Sequence, residues 1–93
     1  MLGPKVHPGE ILREEFMEPL GLTAYALAKY CRVPRTRIER LAREETSVTA
    51  DTALRLARYF GTGAQFWMNL QSAYDLVTAD SKDINQISPR EAA

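Results

Sequence analysis

The sequence predicts an all-α fold, five short helices in one domain. Three observations carry that expectation. Apolar residues recur at i, i+3 and i+4 instead of alternating, helix-opening and helix-ending residues punctuate the chain densely, and no Asn-Gly or Asp-Gly hairpin signal interrupts it. The 93 residues, 45% apolar and 26% charged, have the composition of an ordinary globule with room for a single core. A chain of this length buries only roughly 60–65% of the surface it exposes when unfolded. A second subunit is therefore an expected source of stability.

Pro8 opens the first helix, with Glu10, Glu14 and Glu15 toward its positive end and Ile11, Leu12 and Phe16 on one face, until Pro19 and Gly21 end it. Thr23 is placed to cap a second helix whose stripe is Ala24, Leu27, Ala28 and Cys31, small residues that allow close packing. Pro34 cannot sit deep in a helix and drives Val33 toward extended backbone, so the chain turns at Arg32 and Val33 and restarts near Pro34. The third helix buries Ile38, Leu41 and Ala42, leaving Thr36, Glu39, Arg40 and Arg43 on the far side, flanked by Arg35 and Arg37. Thr49 caps a fourth helix with Asp51 in its first turn, the stripe Ala53, Leu56, Ala57 and Phe60, and Gly61 as a left-handed stop. Thr62 and Gln65 have the form of a capping box for a fifth helix, whose shared apolar face is Phe66, Leu70, Ala73, Tyr74 and Val77 with Trp67 beside it. The domain is thus expected over residues 1–79. From Asp80 onward the chain is polar and aperiodic, a tail over residues 80–93 that is expected to fray.

Charge is segregated. The formal net charge is zero, yet Lys29, Arg32, Arg35, Arg37, Arg40 and Arg43 are opposed only by Glu39 between positions 29 and 43, a local +5. The opening segment with Glu10, Arg13, Glu14, Glu15 and Glu18 carries −3, and the tail from Asp75 carries −2. Five of the six central cations are arginine, whose planar fork of donors suits phosphate and the guanine edge. Two short helices joined by a tight turn, the second amphipathic with a cationic outer face, have the sequence form of a helix-turn-helix DNA reader. The major groove is roughly 12 Å wide and admits one helix, so only the face that the core leaves free can read bases. That face assigns Arg35, Thr36 and Arg40 to base edges, Arg40 first, and Thr23, Arg32, Arg37, Arg43, Thr46 and Ser47 to phosphates. Glu39 either accepts from a cytosine amino group or tethers Arg35 or Arg43 by a helix-spaced ion pair, and the tether is preferred. The bland alternative is a basic helix that is only a solvated face.

The stretch LAKYCRVPRTRIERL, Leu27 to Leu41, resembles the helix-turn-helix of the phage-repressor-like (XRE) class. With HPGEILREEFMEPLGLT before it and TADTALRLARYFGT and QFWMNLQSAYDL after it, the chain from His7 to Leu76 resembles the HigA, or VapI-like, antitoxin family. The resemblance implies a five-helix phage-repressor-like domain that forms a homodimer, represses its own operon at double-stranded operator DNA, and neutralises a HigB-type, RelE-like mRNA-cleaving toxin. It places the family's recognition-helix residues on Arg35, Thr36, Arg37 and Arg40. Three positions depart from the wider class. Arg32 stands where glycine is most frequent, a steric cost if that backbone is left-handed. Pro34 stands where a serine or threonine cap is common. Glu44 and Glu45 follow the third helix, where carboxylates near phosphate weaken binding. A stand-alone repressor without a toxin, and an interaction module that has lost DNA binding, are the competing readings.

The remaining residues of note have plainer roles. Phe66, Trp67 and Tyr74 are core aromatics that are also expected to contact a second subunit. Glu10, Glu14, Glu15 and Glu18 are a solvated face, or else a surface complementary to a basic toxin. Cys31 reads as a small buried hydrophobe and His7 as a polar turn residue, so no metal and no cofactor are expected. No nucleophile–base pair or phosphate-cradling glycine loop points to an enzyme. No stretch is apolar enough to span a membrane and no secretory signal opens the chain, so a cytoplasmic location is expected.

Overall fold

Helix α1 (Pro8–Ile11) begins where the fixed φ of Pro8 suits a first helical position, and its N-cap is the side chain of His7, whose Nδ1 accepts from the Gly9 N–H at 2.8 Å. His7 is thus a buried cap, not merely a turn residue. The helix then widens. Leu12–Met17 is π-helical, and the Glu18 N–H reaches back five residues to the Arg13 carbonyl. The wider turn brings residues five apart to one side, which is why Met17 joins Leu12 in the core while Ile11 and Phe16 are half-buried.

This computed structural model describes residues 5–91. The first four residues of the segment read for a secretory signal, and the last two of the tail, lie outside the described residues. Helix α2 (Ala24–Cys31) is capped as expected, Thr23 Oγ1 accepting from the Ala26 N–H at 3.0 Å. It ends at Arg32, which is left-handed (φ 59°, ψ 48°), with the Val33 N–H folding back to the Ala28 carbonyl. Helix α3 (Arg35–Ala42) follows an extended Pro34 that offers no side-chain cap, and buries Ile38 and Leu41 with Ala42 half-buried. Helix α4 (Ala50–Phe60) runs from the Thr49 cap to a left-handed Gly61. Helix α5 (Ala64–Thr78) is the longest. Leu12, Leu27, Ile38, Leu41, Leu56 and Trp67 are the large side chains at the centre, none more than 1% exposed.

Helix α5 corrects the sequence expectation twice. The capping box does not form: Gly63 is the N-cap, Thr62 Oγ1 instead accepts from the Trp67 indole at 2.8 Å, and Gln65 donates along the helix to Asn69. The inward face is also rotated. Trp67 and Gln71 are the buried residues of α5, whereas Phe66 is 40% exposed and Ala73 lies in solvent. Periodicity favoured the unbroken apolar stripe because a glutamine interrupts the true one. Gln71 is buried for a polar reason, since its Oε1 accepts from the buried Val48 N–H at 2.7 Å. Beyond α5 every described residue is exposed, and the expected aperiodic tail contains one 3₁₀ turn, Ile84–Gln86.

Candidate nucleic-acid interface

The second helix of the unit, α3, is locked from behind. An added Cβ at Gly9 would stand 1.9 Å from the Leu41 carbonyl oxygen, so only glycine lets α1 approach the backbone of α3 this closely. Arg13, from the π-helical turn, donates to the Ala42 carbonyl and satisfies an orphan acceptor at the end of α3. On the other side Arg55 of α4 donates to the carbonyls of Cys31 and Arg32, at 2.9 and 3.3 Å, and so performs the same service for α2 and the left-handed turn. Behind the turn, Cys31 is a buried small hydrophobe whose thiol is pushed up by burial.

With its core side held, α3 turns Arg35, Thr36, Arg37, Arg40 and Arg43 to solvent, all exposed. Thr36, Arg37 and Arg40 share an open surface hollow of about 510 Å³ with Thr46 and Ser47 from the following loop and with Asp51 and Thr52 of α4. Five of the nine residues assigned from sequence to bases or phosphates therefore line one concavity. Arg32 lies elsewhere, on a second hollow bordered by the stacked rings of Tyr30 and Tyr59. Thr23 caps the start of α2, and Arg43 sits at the end of α3.

The arginines do not stand alone. Arg35 Nε lies 3.4 Å from Glu39 Oε2, which is the helix-spaced tether preferred from the sequence. Arg40 Nε lies 3.8 Å from Glu45 Oε1. Arg37 bonds Asp51, which also receives Arg55 Nε at 2.9 Å, and these two guanidiniums, Arg37 foremost, hold the Asp51 carboxyl below the usual aspartate range. Glu44 turns to Arg13 at 3.3 Å. Sequence reasoning saw Asp51 only as a helix-opening acid and assigned Arg55 nothing. The i, i+4 spacing of Asp51 and Arg55 was legible, but the Arg37 contact, 14 positions away, was not.

The helix-turn-helix family pattern matches residues 14–67. The chain is 57% identical over 88 residues to virulence-associated protein I of Dichelobacter nodosus, covering 92% of this chain and 82% of that protein. Among solved structures it is similar to the Pseudomonas aeruginosa antitoxin HigA with the higBA promoter, at 44% identity and a TM-score of 0.86 over 92% of this chain and 98% of that one. It is likewise similar to an addiction module antidote protein of the HigA family from Coxiella burnetii, at 42% identity and a TM-score of 0.88 over 95% and 100%. The chain belongs to the HigA antitoxin family.

Within this HigA-family fold, the acids of the opening segment lie on α1, on its π-helical extension and, for Glu18, at the residue that ends it. Glu14, Glu15 and Glu18 are exposed and Glu10 is half-buried, with Glu14 held by Arg13 at 3.0 Å. The three aromatics of α5 separate. Trp67 is wholly enclosed and has no surface to offer a second subunit, which removes it from the expected dimer contacts. Tyr74 is half-buried with its ring edge-on to His7, and Phe66 is the exposed one. Among the described residues, no helix is long and apolar enough to cross a membrane.

Proposed function

We propose that this HigA-family chain binds operator DNA as a homodimer, represses its own operon, and neutralises a HigB-type, RelE-like mRNA-cleaving toxin in the cytoplasm. The observation that carries the proposal is the arginine face of α3, exposed while Ile38 and Leu41 anchor the helix from behind. Arg35, Thr36 and Arg40 read base edges in the major groove, with Arg40 best placed because it sits one turn into the helix. Arg37, Thr46 and Ser47 around the hollow, with Thr23, Arg32 and Arg43, fix the backbone phosphates. A dimer sets two such helices about 34 Å apart, one turn of duplex. The outward stripe of α5, led by Phe66, with Tyr74 nearby, supplies the contact between subunits, and Glu10, Glu14, Glu15 and Glu18 face a basic toxin.

Binding to the promoter upstream of the chain's own reading frame tests the DNA half. Arg40→Ala is expected to lose about 1–3 kcal/mol and relax preference at one base position, whereas Arg43→Ala weakens every sequence alike. Wild-type affinity in both variants would discard this face. Copurification with the product of the neighbouring gene tests the toxin half. If promoter binding holds and no partner copurifies, the chain is a stand-alone repressor.

A further inference from the structure

We infer that Glu39 and Glu45 are specificity-determining residues and that, with Asp51, they are built-in counter-anions that an arbitrary duplex must displace before the arginines of α3 can bind it. The inference rests on the DNA-binding reading above. Its observation is a pairing. Each of the three arginines at or beside the hollow lies against a carboxylate, Arg35 against Glu39, Arg40 against Glu45 and Arg37 against Asp51, which it shares with Arg55. The carboxylates come from three separate places, α3 itself, the first turn of α4 and the loop after α3. Among the described residues Arg43 makes no ion pair, so the face that the sequence writes as four arginines presents little net charge.

These pairs are exposed and therefore exchangeable: the side chains of Arg35 and Arg40 are 61% and 59% exposed. A phosphate that takes the place of a carboxylate gains little, because one anion replaces another and the displaced carboxylate stays nearby. Glu39 and Glu45 each meet their arginine here through a single N–O contact, at 3.4 and 3.8 Å, whereas a base edge that accepts two parallel N–H bonds from one guanidinium adds a second, and only the right sequence offers it. Glu39 and Glu45, which hold the base-reading Arg35 and Arg40, therefore weaken binding to random DNA more than binding to the operator, whereas Asp51, on the phosphate-contacting Arg37, weakens both alike. The same logic explains how a chain with zero net charge can still present a DNA-reading face.

The test compares wild type with Glu39→Gln, Glu45→Gln, Asp51→Asn and the triple variant on two duplexes of equal length, the chain's own promoter and a random sequence, across a salt series. Asp83→Asn in the tail makes the same charge change outside the helix-turn-helix. In the triple variant, affinity for random DNA is expected to rise roughly tenfold or more and its log–log salt slope to steepen by about 0.9 for each carboxylate removed. Promoter affinity rises less, so the ratio of promoter to random affinity falls. Glu45→Gln alone, which touches no other helix, shows the same trend at smaller size, and Asp83→Asn leaves both affinities unchanged. An equal rise on both duplexes in Glu39→Gln, Glu45→Gln or the triple variant, or any rise in Asp83→Asn, would reduce the carboxylates to bulk repulsion, and no rise would remove them altogether. A wild-type protein that does not prefer its promoter would instead sink the DNA-binding reading itself.

Discussion

Among the described residues, two other than glycine hold left-handed backbone, Arg32 at φ 59° and Glu44 at φ 65°, and each ends a helix of the helix-turn-helix. For an L residue that conformation costs roughly 1–2 kcal/mol, so both positions spend stability on a side chain. Arg32→Gly is expected to gain about 1 kcal/mol, which in a domain of this size raises the calorimetric Tm by roughly 4–8 °C. It should at the same time weaken binding to promoter and random duplexes alike, because the guanidinium assigned to phosphate is gone. A stabilised variant with undiminished DNA affinity would strike Arg32 from the phosphate set. Glu44→Gly gains less, since Arg13 loses one of its two carboxylate partners. The cost at Arg32 was readable as a condition in the sequence, an arginine where glycine is usual. That the condition is met, and that Arg55 caps the same turn, required the fold.

At the scale of elements, α3 is positioned by contacts that share no periodicity. Gly9→Ala forces a methyl group into the Leu41 carbonyl and is expected to cost about 3 kcal/mol, seen as a lower urea midpoint at unchanged slope. An unshifted midpoint would mean that α1 and α3 do not meet as described. Gln71→Leu keeps the volume but leaves the buried Val48 N–H without an acceptor, an expected loss of roughly 1–3 kcal/mol by the same measurement. Asp51 ties α3 to α4 with a carboxyl held below its ordinary value. A depressed carboxyl contributes stability above the ordinary aspartate range and loses it as pH falls through the lowered value. The stability gap between wild type and Asp51→Asn is therefore expected to be full at neutral pH and to close in acid. A gap that ignores pH would assign the effect to packing.

On the scale of the whole molecule, the exposed acids Glu14 and Glu15 lie on the π-helical extension of α1, whereas the arginines Arg35, Arg37 and Arg40 lie on α3, each against a carboxylate. The second apolar stripe of α5 completes the division, with Phe66 and Leu76 at 40% and 65% exposure and Leu70 and Val77 half-covered. Phe66→Glu is expected to turn the proposed dimer into a monomer by analytical ultracentrifugation while the helical circular dichroism persists, and to abolish any cooperative occupation of two half-sites. A dimer that survives the substitution would move the subunit contact away from Phe66.

Local sequence was enough to set the helices of the helix-turn-helix, the caps at Thr23 and Thr49, the stop at Gly61 and the arginine face. Each of these follows from local chemistry: a side-chain oxygen beside an orphan N–H, a residue without a Cβ, or a 3.6-residue spacing. Tertiary structure alone decided which side of α5 faces inward, why residue 9 is glycine, and which carboxylate each arginine meets. Those answers depend on groups far apart in the chain. A buried glutamine looks polar until the distant N–H it serves is known, and a +5 segment looks unopposed until Asp51 folds back onto it.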